Sequence, residues 1–161
     1  MLSAGKRGWG FTLIEIMVVV VIIGISLAVA IPRLFPSDDE VARRESERVL
    51  AVLQVARDEA AFGGRVIAAR FDTGQMQFFE RDAGNPERWN PSMSSALTPH
   101  RFAESVNVQL TVAGNAVPQK DAQITFVPIG ISQPFELSLA TRSVVITIAG
   151  DAIGNLRIKS G

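Results

Sequence analysis

Gly10-Phe11-Thr12-Leu13-Ile14-Glu15 is followed from Ile16 to Ile31 by IMVVVVIIGISLAVAI, an uncharged run broken only by Gly24 and Ser26. At about 1.5 Å per residue, a helix over residues 11–31 reaches roughly 30 Å, the hydrocarbon thickness of a bilayer. The Val and Ile content would suit a buried strand, but the run is far too long for one. In lipid the backbone must satisfy its own hydrogen bonds, which selects helix. Lys6 and Arg7 precede the run and Arg33 follows it. A short basic N-terminal flank predicts an N-terminus in the cytoplasm and the rest of the chain outside. Three plainer readings compete: a cleaved secretory signal using Ala28-Val29-Ala30, a passive single-span anchor, and a buried core helix.

Glu15 separates these readings. A carboxylate inside a membrane helix costs about 2.5–3.5 kcal/mol near the bilayer centre and less near the interface, where it can snorkel to the headgroups. Neither a signal peptide nor a passive anchor has a use for it, and the run holds no cation to pair with it. Cleavage before Phe11 would create an α-amino group about one helical turn from Glu15, on the same chain or on a neighbour.

These residues resemble the processing site of type IV pilins and type II secretion pseudopilins. The resemblance implies a 1–10 leader peptide, cleavage after Gly10 by an inner-membrane prepilin peptidase, and N-methylation of the new N-terminal Phe11. It also implies that Glu15 helps register neighbouring subunits during assembly, and that Pro32 is a helix-interrupting proline. Residues 11–31 are then the transmembrane helix of a single-pass inner-membrane protein.

The composition limits what the rest can be. The chain has 161 residues, enough for one domain beyond the apolar run. Sixteen basic residues balance sixteen acidic ones, so nucleic acid is not an expected partner. No cysteine is present, which excludes disulfides, thiolate metal sites and a cysteine nucleophile. A mean hydropathy of +0.23 is high for a soluble domain, and the excess sits in the N-terminal run.

Residues 32–62 read as a linker and an amphipathic helix. Pro32 and Pro36 bracket a break, and Ser37-Asp38-Asp39-Glu40 has the form of a capping box with acids at the positive end of the helix dipole. The helix is expected from Asp38 to about Phe62, ending at Gly63-Gly64. Ala42, Val49, Leu53, Ala56 and Ala60 form its apolar stripe, and the charged residues occupy the solvated side.

Beyond Gly64 the period switches to two, and 63–161 reads as a periplasmic β-rich domain. Arg65 to Asp72 and Gln75 to Glu80 form a hairpin through Thr73-Gly74. Val106, Val108, Leu110 and Val112 share a strand face. Further strands are expected at Ile124–Pro128, Phe135–Leu139, Val144–Ala149 and Asn155–Lys159, with 81–103 a long loop tethered by Trp89 and Phe102. One long helix on antiparallel sheet is an α+β architecture, pilin-like under the resemblance. Ile124-Thr125-Phe126-Val127-Pro128 and Gly130-Ile131-Ser132-Gln133-Pro134-Phe135-Glu136-Leu137 resemble the C-terminal region of the type II secretion minor pseudopilin H family. That family implies a subunit near the tip of a periplasmic pseudopilus, with minor pseudopilins I, J and K, above the major pseudopilin G and on an inner-membrane secretion platform, supporting export of folded proteins across the outer membrane. A minor pilin of a type IV pilus, including one that binds DNA, is the alternative.

No catalytic constellation stands out. His100 is the only histidine, in a polar loop without identifiable partners, and a solvated or loop-packing role is expected. Phosphate-cradling glycine motifs are absent from the sequence, and Asp121 and Asp151 are isolated rather than spaced as calcium ligands. Asp38, Asp39 and Glu40 are explained by capping. Arg142, Arg157 and Lys159 read as a solvated edge. The expectation is a structural subunit without catalytic residue, cofactor or metal; an enzyme on a pilin-like anchor is the rival from another class.

Overall fold

The structure is a computed structural model that describes residues 11–34, 37–72 and 74–159, with the side chains of the first helix described as far as Ala28. Two compact units divide between Ser37 and Asp38.

The first unit is helix α1, Leu13–Leu34. Thr12 caps it: its Oγ1 accepts from the Glu15 amide at 3.3 Å, and its carbonyl accepts from Glu15 at 3.0 Å and Ile16 at 3.3 Å. Thr12-Leu13-Ile14-Glu15 thus has the spacing of a capping box, with the acid in the first turn. Ser26 is no polar burden, because its hydroxyl donates to the Ile22 carbonyl at 2.7 Å. The expected break at Pro32 falls later: α1 runs through Pro32 and ends at Leu34. A proline removes one i→i−4 bond, and with only residues 33 and 34 beyond it in the helix, little regular structure is left to disrupt. Phe35 and Pro36 lie outside the described residues.

Helix α2, Asp38–Gly63, opens with Asp38, Asp39 and Glu40 in its first turn. All the expected stripe positions, Ala42, Val49, Leu53, Ala56 and Ala60, are fully buried. Ser46 completes the stripe at alternating spacings of four and three, and its hydroxyl donates to the Ala42 carbonyl at 2.7 Å. Arg43–Glu47 at 2.9 Å and Arg44–Glu40 at 3.8 Å lie on the exposed side. The helix closes where Gly64 adopts φ +62° and the Arg65 amide reaches back to the Ala60 carbonyl at 3.2 Å.

Two antiparallel sheets follow. Sheet A has the order β3-β2-β1-β7-β8, with β4 also pairing β2; the strands are β1 Ile67–Asp72, β2 Gln75–Arg81, β3 Trp89–Pro91, β4 His100–Arg101, β7 Gln123–Val127 and β8 Gly130–Ile131. Sheet B has the order β11-β10-β9-β5-β6, from β5 Asn107–Val112, β6 Asn115–Val117, β9 Phe135–Ala140, β10 Val145–Gly150 and β11 Leu156–Lys159. The hairpin expected through residues 73–74 is present, with Asp72 opposite Gln75. Alternation gives each sheet one inner face. Ile67, Ala69, Phe71, Met76, Phe78, Ile124 and Phe126 from sheet A join Leu110, Phe135, Leu137, Leu139 and Ile148 from sheet B around the α2 stripe.

Residues 81–103 are not one loop, because β3 and β4 both pair with β2. Phe102 enters the core as expected of a tether, whereas Trp89 sits opposite Arg81 and outside the core cluster. The short strands β6 and β8 were also beyond the sequence reading, since two or three residues carry no alternation to read.

Candidate functional site

The N-terminal unit carries the expected assembly residues. Gly10 lies outside the described residues. Phe11 immediately precedes the cap and is 76% exposed. Glu15 stands in the first turn of α1, near the positive end of the helix dipole, where a carboxylate is tolerated best. From Leu13 to Leu27 the large apolar side chains of α1 are all exposed, between 45% at Val19 and 79% at Leu13. Such a surface has no counterpart in a water-soluble helix. Among the described residues no helix is long and apolar enough to cross a membrane. The described side chains of α1 stop at Ala28, short of the roughly 20 apolar residues a span requires. Thr12 is the residue that sequence reasoning missed here; its signal was Thr-x-x-Glu before an apolar run.

The other sequence candidates scatter. His100 packs rather than facing solvent: its Nε2 lies 2.6 Å from Glu45 Oε2 of α2, and its ring meets Phe102 edge-on at 5.2 Å. Both side chains of the pair are largely buried, so His100 clamps β4 to α2. Glu59, two heptads along α2 from Glu45, accepts a hydrogen bond from Ser94 and pairs with Arg65 at 3.3 Å. Asp121 belongs to a short 3-10 turn, Gln119–Asp121. Asp151 accepts from the side chain and amide of Asn155, both at 2.9 Å, and from the Ile153 amide at 3.1 Å. Those bonds hold its carboxyl below the usual carboxylate range and account for the residue as a turn former. Lys159 pairs with Glu136 across the sheet B face, and Arg142 is exposed. Among the described residues no group of acids and histidine is arranged to hold a metal ion.

With an apolar, acid-bearing N-terminal helix and an α2-on-sheet domain in place, comparison with known proteins is decisive. Residues 45–154 match the family described as Type II transport protein GspH, and residues 10–31 match the prokaryotic N-terminal methylation motif. The chain belongs to the GspH family. It is similar to type II secretion system protein H of Pseudomonas aeruginosa strain PAO1, 30% identical over 147 residues that cover 83% of each chain. The protein of the same description in Aeromonas hydrophila is 24% identical over 172 residues, covering 94% of this chain and 93% of that one. The fold matches the crystal structure of the minor pseudopilin EpsH of Vibrio cholerae with a TM-score of 0.64 at 16% identity, over 77% of this chain and 99% of that one. GspH proteins are structural pseudopilins of type II secretion, so the α+β, pilin-like architecture and the minor-pseudopilin reading stand together.

Proposed function

We propose that this chain is a tip-proximal minor subunit of a type II secretion pseudopilus that supports export of folded proteins across the outer membrane. Prepilin peptidase cuts after Gly10, Phe11 becomes the methylated N-terminus, and residues 11–31 anchor the subunit in the inner membrane with residues 63–161 in the periplasm. The apolar run that reaches Ala28 among the described side chains continues in sequence to Ile31, which supports a span. Minor pseudopilins I, J and K, the major pseudopilin G and the secretion platform are its partners. The subunit contributes packing surface, not a reaction.

The observation that carries this reading is α1 itself, an apolar surface exposed throughout its described length with one carboxylate in its opening turn. Lipid solvates that surface before assembly, and neighbouring helices cover it afterwards. Glu15 then meets the terminal amine of a subunit where little water competes, so the attraction between the two charges is less screened than at an exposed surface.

Mass spectrometry of the mature protein tests the processing step. A chain beginning at N-methylated Phe11 is expected; retention of residues 1–10, or a start at Ile31, overturns it. Glu15→Ala is expected to leave membrane insertion intact and to lower secretion in a strain lacking the wild-type gene by about ten-fold or more. Wild-type secretion by that variant removes the role given to the carboxylate.

A further inference from the structure

The two sheets turn different outer faces away from α2. On sheet B that face carries Gln109, Thr111, Ser138 and Thr147, with Lys159 paired to Glu136, and Ser138 and Thr147 share a hydrogen bond at 3.1 Å. It is a solvated surface. Sheet A instead presents a ladder of arginines and aromatic rings. Arg70 Cζ lies 4.4 Å from the Phe79 ring centroid and 5.4 Å from that of Trp89; Arg81 Cζ lies 4.9 Å from Trp89 on its other contact. Arg70 Nε is further fixed by donating to Gln123 Oε1 at 2.8 Å. Neither Phe79 nor Trp89 belongs to the core cluster.

Charge is unbalanced on this face. Strand alternation places Arg70, Arg81 and Arg101 on it with Asp72 as the strand-borne acid, and Asp72 has an interaction of its own. Among the described residues neither Arg70 nor Arg81 has a carboxylate within ion-pair distance. A groove of about 640 Å³ opens beside Arg70 and Phe79, and Asp72, Lys120 and Asp121 also line it. Trp, Phe and Arg are the residue types enriched in the buried centres of protein interfaces. A guanidinium held over a ring keeps its charge and its planar fork, so it binds a carboxylate with less ordering cost than a free side chain.

We infer that the outer face of sheet A is a docking surface for a neighbouring protein subunit that presents exposed Asp or Glu carboxylates to Arg70 and Arg81. Three cations are too few to hold a phosphate backbone firmly, which favours a protein partner over nucleic acid. The identity of the partner as another subunit of the same assembly rests on the pseudopilin reading above.

The test co-expresses the full-length chain in detergent-extractable form with the other pseudopilins of its own secretion system and measures how much of each it retains. Wild type and Arg157→Ala, on the sheet B face, are expected to retain the same subunit. Arg70→Ala/Arg81→Ala is expected to lower that retention about ten-fold, as is salt at about 0.5 M. Arg70→Lys keeps the charge without the fork and is expected to fall between. If the double variant loses its cooperative melt, Arg101→Glu, which stacks on no ring among the described residues, replaces it with the same expectation. Undiminished retention by variants that melt like wild type overturns the docking surface alone. A wild-type chain that retains none of the pseudopilins overturns the assembly reading and this surface with it. A defect confined to co-sedimentation with phosphatidylglycerol vesicles overturns the protein partner in favour of lipid headgroups.

Discussion

Helices α1 and α2 follow one another in the chain and solve opposite problems. In α2 the stripe positions recur at alternating spacings of four and three, all apolar but Ser46, and every one is buried within its own unit. In α1 apolar residues lie all round the helix and every described one is exposed. Burying a large aliphatic side chain is worth about 1.5–3 kcal/mol. The first helix therefore carries much apolar surface whose burial its own unit does not realise. A stripe signals a partner within the domain, and a fully apolar circumference signals a partner outside it.

Truncation in each helix should separate these two kinds of burial. Leu53→Ala removes a side chain from the centre of the α2 stripe and is expected to cost about 3 kcal/mol, read as a lower denaturation midpoint of the detergent-held chain. Val20→Ala, at a fully apolar but exposed position of α1, is expected to shift that midpoint by less than about 0.5 kcal/mol. Equal effects would erase the distinction.

A second face of α2 sharpens the comparison, because it uses charge where the stripe uses apolar contact. Glu45 and Glu59 hold residues 94–100 against the helix through Ser94 and His100. Glu45→Ala leaves His100 buried without its partner and is expected to cost about 1–3 kcal/mol. Glu45→Gln, which preserves a hydrogen-bonding group, should recover part of that loss. If both variants melt like wild type, β4 is held by Phe102 and strand pairing alone.

The same contrast explains what was legible in the sequence. Glu15 stands out in the sequence because a lone carboxylate in an apolar run conflicts with its surroundings, and that conflict is local. The α2 stripe and the longer strands could be found because burial on one face imprints a period. The Glu45–His100 pair spans 55 positions in the chain, and the Arg70–Phe79–Trp89–Arg81 ladder exists only once β1, β2 and β3 are in register. Neither leaves a local pattern. Pro32 misled for the opposite reason: a strong local breaker does little when it falls beside a helix end.

Ser46 is the finest probe of the stripe. Its position, four after Ala42 and three before Val49, is fully buried, yet a hydropathy reading passes over it because serine counts as polar. The hydroxyl answers its own burial by donating to the Ala42 carbonyl at 2.7 Å, an oxygen already serving the helix ladder. Ser46→Ala therefore removes a bond that contributes little and relieves a helix interior of a residue with lower propensity by roughly 0.5 kcal/mol. The expected result is a denaturation midpoint unchanged or raised by about that amount. A loss above about 1 kcal/mol would mean that the hydroxyl serves the sheet as well as its own helix, and that the α2 stripe is not apolar in its energetics even where it is fully buried.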